Sequence, residues 1–172
     1  MTRYWALRTD QARRSFIWSE LQAGRLRQGW GYRPDLDLEN LAEIRRRGGR
    51  LAKYQQDAWR GNRRLLPSQP DSMQVGDIVV FLHLPHHGVW SIARVTGGYH
   101  YEISTQGNAV DGTPDYGHIR DIELQTHARG VDSVRVGVSD GLRRSMRPQS
   151  RMWSLDAHGE EIERLIGLQT NA

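Results

Sequence analysis

The clearest indication of the fold comes from Met73-Gln74-Val75-Gly76-Asp77-Ile78-Val79-Val80-Phe81. A Gly-Asp turn is followed here by a continuous run of β-branched and aromatic residues, a pattern typical of a strand buried in a sheet. We predict a strand from Ile78 to Leu84, which Gly88 turns into a second strand at 89–95. Further strands are predicted at 99–103, after a turn at Gly97-Gly98, and at 118–124 and 134–138.

Helical patterns flank this β-rich part on both sides. Residues 4–9 are predicted to form a first strand, followed by a helix that ends near Ala23. Two more helices are predicted between 37 and 66, and a last one at 159–168. A chain of 172 residues fits one domain with a substantial core. We therefore expect a single α+β domain over residues 1–172, with a helical insert at about 37–66.

The composition excludes several classes of protein. The chain contains no cysteine, which excludes disulfides, cysteine-ligated zinc, Fe–S clusters and thiol nucleophiles. No apolar run approaches the roughly 20 residues that a membrane-spanning helix needs. The N-terminus, MTRYWALRTD, lacks the apolar stretch of a secretory signal. We expect a cytoplasmic protein without a membrane partner.

The charge is distributed unevenly along the chain. Residues 1–70 contain 15 basic and seven acidic residues, whereas residues 71–172 contain nine basic and 13 acidic residues. All basic residues except Lys53 are arginine, which suits bidentate phosphate contacts and stacking on bases. The pair Arg25/Arg27 is predicted to lie in an ordered loop or short strand at 24–34, and the pair Arg143/Arg144 in a basic turn at 143–148. A basic half joined to an acidic half favours a binding face for a polyanion such as nucleic acid.

Trp30 is the leading candidate for base stacking. Gly29 and Gly31 flank it, so the backbone can approach a ligand closely and the indole is left uncovered. Tyr32, two residues on, would share its side of an extended segment. Trp59 lies in an arginine-rich helix, where stacking at the surface is an alternative to burial. Trp90 faces one side of a central strand, as part of either the core or a pocket wall.

The sequence offers little support for catalysis or metal binding. His83, His86 and His87 cross a predicted hairpin turn and have no acidic residue within five positions, so we expect a polar hairpin without metal. No nucleophile elbow or phosphate-cradling motif is present, and Lys53 lies far from the strands in sequence. We expect no enzymatic activity and no cofactor.

Several of these motifs together resemble the PUA-like superfamily, which includes the EVE, ASCH and YTH domains. The Gly-Asp turn with its apolar strand is similar to that group. The opening strand Tyr4-Trp5-Ala6-Leu7 resembles the start of EVE domains, and residues 21–30 resemble the YTH segment that supplies a first cage tryptophan. The resemblance implies a small mixed β-barrel decorated by helices, with a pocket for one nucleobase that is often modified. From the charges, the aromatic residues and this resemblance together, we assign the following residues to nucleic-acid binding: Arg25, Arg27, Gln28, Trp30, Tyr32, Trp59, Trp90, Tyr116, Arg143 and Arg144.

Four functions stay open at this point. The first is recognition of a flipped, methylated base in DNA, as the reading part of a restriction or defence system with a nuclease domain or partner. The second is an RNA-binding domain of the PUA or ASCH kind. The third is a small hydrolase of ASCH type, and the fourth is a protein-interaction scaffold in which Trp30 is an interface anchor.

Overall fold

The computed structural model describes residues 1–104, 114–126, 130–134, 137–147 and 150–170. The strands are β1 (Tyr4–Leu7), β2 (Arg25–Gln28), β3 (Ile78–Leu82), β4 (Val89–Tyr101), β5 (His118–Leu124), β6 (Val131–Asp132) and β7 (Met152–Ser154). The α-helices are α1 (Arg14–Gln22), α2 (Leu38–Arg46), α3 (Lys53–Asn62), α4 (Asp140–Ser145) and α5 (Gly159–Thr170). The predicted α+β class is confirmed. Within the described ranges, no helix combines the length and apolar character needed to cross a membrane.

The strands form one mixed sheet in the order β2-β5-β4-β3-β1-β7, and β6 pairs with β4. The pairing of β1 with β3 is parallel, and the other pairings are antiparallel. In the part of the chain that the structure describes, no ladder joins β2 to β7, so the sheet is open at these two edges.

The Gly-Asp turn comes directly before β3 and is hydrogen-bonded to residues at the start of β1. Gly76 has a φ of 93°, a value that side chains disfavour, and Asp77 behind it is buried. One oxygen of the Asp77 carboxylate accepts from Trp5 Nε1 at 3.0 Å and from the Gln74 amide at 2.9 Å. The other accepts from the Arg3 amide at 3.0 Å. The motif therefore holds the first strand in parallel register beside the third.

Strand β3 is buried on both faces, which explains its uninterrupted apolar sequence. Val79 and Phe81 belong to a core formed with α1, α2 and α3. Ile78, Val80 and Leu82 belong to a second core with α4 and α5. Since successive side chains point to opposite faces, a strand between two cores has no polar alternation. The strand predicted from Ile78 to Leu84 is therefore confirmed, although it ends two residues earlier, at Leu82.

Three predictions about local structure are corrected. Gly97-Gly98 is not a hairpin turn, because β4 continues through it with a register shift between Val95 and Tyr99; glycine within a strand marks such bulges. Residues 143–145 of the predicted basic turn at 143–148 belong to helix α4, which the Ser139 side chain caps by accepting from the Leu142 amide, and residue 148 lies outside the described ranges. The predicted strand 134–138 is wrong at Val134, which lies in a turn, while residues 135–136 lie outside the described ranges.

Candidate nucleic-acid interface

A cleft of about 790 Å³ lies between the two edge strands of the sheet. Gln28 at the end of β2 borders it on one side, and Met152 at the start of β7 borders it on the other. We call it the Trp30 cleft. Its lining residues are Arg8, Thr9, Asp10, Ile17, Gln28, Gly29, Trp30, Asp57, Arg60, Gly61, Arg63, Arg64, Asp115, Tyr116, Ser150, Arg151 and Met152. The volume is in the range of pockets that enclose small organic ligands.

Trp30 holds an unusual backbone conformation at the edge of this cleft. Its φ is 66°, in the left-handed region that non-glycine residues rarely adopt. Its side chain is 41% exposed, although tryptophan is usually highly buried. Left-handed geometry at a bulky residue persists only where surrounding contacts enforce it, and such residues cluster at functional sites.

Asp115 provides part of that enforcement. Its carboxylate accepts from the backbone N–H groups of Trp30 at 3.2 Å, Gly31 at 2.8 Å and Tyr116 at 2.6 Å. Tyr116 is itself left-handed, with a φ of 61°. One carboxylate therefore positions two strained aromatic residues that line the same cleft.

The carbonyl groups around Trp30 are held equally firmly. His118 Nε2 donates to the Trp30 carbonyl at 3.1 Å, and Asn62 Nδ2 donates to the Gly29 carbonyl at 3.0 Å. His118 Nδ1 lies 2.9 Å from the Tyr99 hydroxyl and can accept from it when the ring is neutral. Burial lowers the pKa of His118 to about 4, so the ring is neutral at physiological pH. The segment is thus preorganised by side chains from α3, β4 and β5.

The indole of Trp30 is in contact with two other elements. The guanidinium of Arg151 lies over the ring, 3.7 Å from its centroid, in a cation–π contact. Gly61 of α3 lies against the ring, and a Cβ there would be 2.5 Å from Cζ3 of Trp30. The absence of a side chain at this position lets the helix approach the indole. Burial lowers the pKa of Arg151, but an arginine guanidinium stays protonated at neutral pH.

The cleft carries an excess of positive charge. Five arginines and three aspartates line it. Arg64 donates to the Met152 carbonyl at 2.8 Å. The guanidinium groups of Arg60 and Arg63 make neither a hydrogen bond nor an ion pair within the described residues, so they are available to an anionic ligand.

The structure brings together three of the residues assigned to binding from the sequence. Trp30, Gln28 and Tyr116 all line the cleft. Tyr116 is nearly buried, packs edge-on against Phe16 at 5.4 Å, and its hydroxyl lies 3.4 Å from Asp10. Trp30 therefore forms an open wall and Tyr116 contributes to the floor.

The two predicted phosphate contacts at Arg25 and Arg27 are corrected. Arg27 is 8% exposed, and its guanidinium is bound by Glu20 and by the carbonyls of Glu102 and Tyr116. Arg25 makes a bidentate pair with the same Glu20 carboxylate. Both guanidinium groups are therefore paired with Glu20 within the protein. The segment that carries them is an edge strand, β2, which pairs with β5.

Three aromatic candidates lie elsewhere. Tyr32 is exposed but does not line the cleft, since alternation of side chains applies only to extended backbone and Trp30 is left-handed. Trp59 is buried and packs in the helix-covered core. Trp90 is buried in the second core. The expectation that Trp59 and Trp90 stack on the ligand is not supported, because both are buried and neither lines the Trp30 cleft.

The second arginine pair lies at a different place. Arg143 lines a separate groove with Trp90 and His83, and it donates to the Ser133 carbonyl and pairs with Asp140. Arg144 is exposed outside both grooves.

The histidine cluster and Lys53 take no part in the Trp30 cleft. His83 stacks on His87 with ring centroids 4.4 Å apart, and it accepts from the Gly88 amide at 3.0 Å. The described ranges contain no group of three or more His, Cys, Asp or Glu residues placed to hold a metal ion. Lys53 is not among the residues that line the cleft.

Sequence reasoning missed Arg151 and Asp115, which complete the cleft. Both are far from Trp30 in sequence, and neither belongs to a recognisable motif. The useful signal would have been the position of Trp30 itself, since a tryptophan between two glycines requires distant groups to hold its backbone.

The comparisons with known proteins identify a family. The family described as Domain of unknown function (DUF8426) matches residues 5–140, and the chain belongs to it. No curated protein matches the sequence significantly. Among solved structures, protein Atu2648 from Agrobacterium tumefaciens is similar with a TM-score of 0.41 and 12% identity, over 98% of this chain and 93% of that one.

Proposed function

We propose that this member of the DUF8426 family is a nucleic-acid-binding module that takes one extruded, methylated base into the Trp30 cleft. We further propose that the polymer is DNA, and that the module is the reading part of a restriction or defence system acting with a nuclease domain or partner. The observation that carries the proposal is the strained, 41% exposed Trp30 at the wall of an arginine-rich cleft.

The stacking surface supports a planar, uncharged ligand group. Trp30 stays 41% exposed although the guanidinium of Arg151 lies over its ring, so part of its surface is accessible to a base. Stacking of a base on an aromatic side chain contributes about 1–3 kcal/mol, which helps to offset the few kcal/mol that base extrusion costs. Since Asp115 and His118 already hold the Trp30 backbone, little ordering is required on binding.

The charges support a phosphate-bearing ligand. Arg60 and Arg63 stand at the cleft without an acidic partner among the described residues. Guanidinium groups bind phosphate oxygens in bidentate geometry. A nucleotide within a strand would therefore place its base toward Trp30 and a neighbouring phosphate toward α3.

The position of the cleft also supports the proposed PUA-like fold. The edge strands β2 and β7 both border it, and Trp30 after β2 contacts Arg151 before β7. A sheet whose two edges face one cleft is strongly curled, as expected of a barrel that opens at a ligand pocket.

The first experiment measures binding of short oligonucleotides by fluorescence anisotropy, with methylated and unmethylated versions of each sequence. Trp30→Ala should lose most of the affinity and the selectivity for the preferred base, by about 5- to 150-fold for a stacking term of about 1–3 kcal/mol. Tyr32→Ala is the matched control, because it removes an exposed aromatic side chain just outside the cleft. A large drop in melting temperature with unchanged relative affinities would make Trp30 a structural residue and refute the proposal. Tighter binding to RNA than to DNA would reassign the polymer.

The second experiment measures salt dependence. Log affinity for duplex DNA should fall with log salt concentration at a slope of about −0.9 per phosphate contacted. Arg60→Ala should reduce that slope by about one contact, whereas Arg50→Ala, an exposed arginine outside the cleft, should not. An affinity independent of salt would contradict the electrostatic part of the proposal.

A further inference from the structure

Gln28 is a buried polar side chain without a partner at the floor of the Trp30 cleft. The residue is 6% exposed and lines the cleft. Its carboxamide makes no hydrogen bond within the part of the chain that the structure describes. Because buried polar side chains in native proteins are nearly always hydrogen-bonded, an unpartnered amide here needs a reason.

Its orientation follows from the alternation of β2. Leu26 and Gln28 are two residues apart and so lie on the same face of the strand, and Leu26 is fully buried in the core. The chain thus has a polar side chain at a position where the strand pattern favours an apolar one. The polar atoms of Gln28 are not among the enclosed, unpartnered atoms, which are Arg14 Nε, Asn62 Oδ1 and Arg120 Nη2. The small accessible surface that Gln28 retains therefore includes its amide group, and that surface faces the cleft.

We infer that the Gln28 carboxamide recognises the hydrogen-bonding edge of the base in the cleft, and that this base is adenine or N6-methyladenine; the inference rests on the proposed function. A carboxamide offers an acceptor and a donor side by side. Adenine presents an amino donor next to a ring-nitrogen acceptor, and the bidentate pair of glutamine with adenine is the matching contact. A single N6-methyl group leaves one N–H for the amide oxygen.

The carboxylate of Asp10 favours a base with an exocyclic amino group, a feature that adenine shares with cytosine. Asp10 lines the cleft, and its Oδ2 atom has one long contact, 3.4 Å to the hydroxyl of Tyr116. It can accept from an amino group, whereas the exocyclic oxygen of guanine or thymine would be repelled by its negative charge. An amide and a carboxylate in one cleft therefore select an amino-bearing base.

The test uses labelled oligonucleotides that are identical except for one central base, which is adenine, N6-methyladenine, purine without the amino group, guanine, cytosine or thymine. The wild-type chain should prefer the two adenines over purine by about 5- to 150-fold, the range for one bidentate pair. Gln28→Leu should remove most of this preference, and it should weaken the purine oligonucleotide less than the adenine one, since purine forms only the ring-nitrogen half of the pair. Its melting temperature should not fall, since the amide has no protein partner to lose. Gln22→Leu, at the exposed end of α1, is the matched control and should keep the preference.

A second variant guards against a general effect of leucine in the cleft. Gln28→Glu keeps an acceptor for the amino group but loses the N–H donor to the ring nitrogen, which adenine and purine share, so it should weaken both oligonucleotides and keep the preference for adenine over purine. If Gln28→Leu keeps the preference while Trp30→Ala still weakens binding, the inference is wrong and the proposed function stands. A preference for another base that Gln28→Leu abolishes would overturn the assignment to adenine. If no oligonucleotide binds and Trp30→Ala changes nothing, the proposed function itself fails.

Discussion

Acidification should weaken the fold through His118, which supports the Trp30 backbone. The ring is buried, donates from Nε2 to the Trp30 carbonyl and can accept at Nδ1 from the Tyr99 hydroxyl. Burial is the largest cause of its lowered pKa. The hydrogen bond to the Trp30 carbonyl raises the pKa in part, and the nearby charge of Arg151 lowers it further. The pKa falls from 6.5 to about 4 on folding.

The sign and size of the effect follow from proton linkage. The unfolded chain binds the proton more readily than the folded chain, so stability is fully present above pH 6.5 and is lost as the pH falls toward 4. With these two pKa values, His118 alone removes about 0.8 kcal/mol of the free energy of unfolding by pH 6, about 2 kcal/mol by pH 5 and about 3 kcal/mol by pH 4.

Urea denaturation at several pH values, for the wild-type chain and for His118→Gln, isolates this contribution. Glutamine keeps a donor for the Trp30 carbonyl but does not titrate. Acidic groups whose pKa is lowered, such as Glu20 and Asp35, destabilise both chains equally at low pH. Their contributions therefore cancel in the difference in unfolding free energy between the two chains. The difference between the two chains should shrink by about 3 kcal/mol between pH 7.5 and pH 4. A difference that does not change with pH would refute the account of His118 as a buried, neutral support.

Three further substitutions test the contacts around the cleft. Glu20→Ala leaves the buried guanidinium of Arg27 without its carboxylate, so the free energy of unfolding should fall by about 3 kcal/mol in chemical denaturation; a loss below about 1 kcal/mol would contradict this. A Gly→Ala change within a helix ordinarily stabilises it by about 0.5–1 kcal/mol. In Gly61→Ala the new Cβ meets the indole of Trp30, so we expect weaker oligonucleotide binding and no gain in melting temperature. Raised stability with unaltered binding would show that the indole can move freely. Asp115→Ala should accelerate hydrogen exchange at the Trp30 amide measured by NMR, since the N–H loses its acceptor, and unchanged protection would argue against that role.

Much of the architecture could be predicted from local sequence. The run after Gly76 indicated a buried strand because β-branched residues without polar alternation fit between two cores. The start of the predicted helical insert at about 37 agrees with α2, which the Asp37 side chain caps by accepting from the Glu39 amide. The glycine pair Gly97-Gly98 misled the prediction, because its pattern fits a turn and a bulge equally well.

The site was predicted in part, and the failures share a cause. Trp30 was found from its glycine neighbours, which are a local signal. Arg27 was misassigned because its sequence neighbours say nothing about Glu20 on the preceding helix, with which it forms a buried ion pair. The sequence left core and binding roles open for Trp59 and Trp90, because burial depends on which helix or strand covers a ring.

By itself, the sequence determined that this is an α+β protein with a strand buried on both faces, an excess of arginine and a tryptophan held between glycines. These properties depend on residue type and short-range spacing, which the chain carries before it folds. The tertiary structure alone decided that the edge strands β2 and β7 border one cleft, and that Arg151 and Asp115 meet Trp30 there. Contacts between residues more than 80 positions apart depend on how the sheet curls and on which charges are already paired, and no local pattern encodes either.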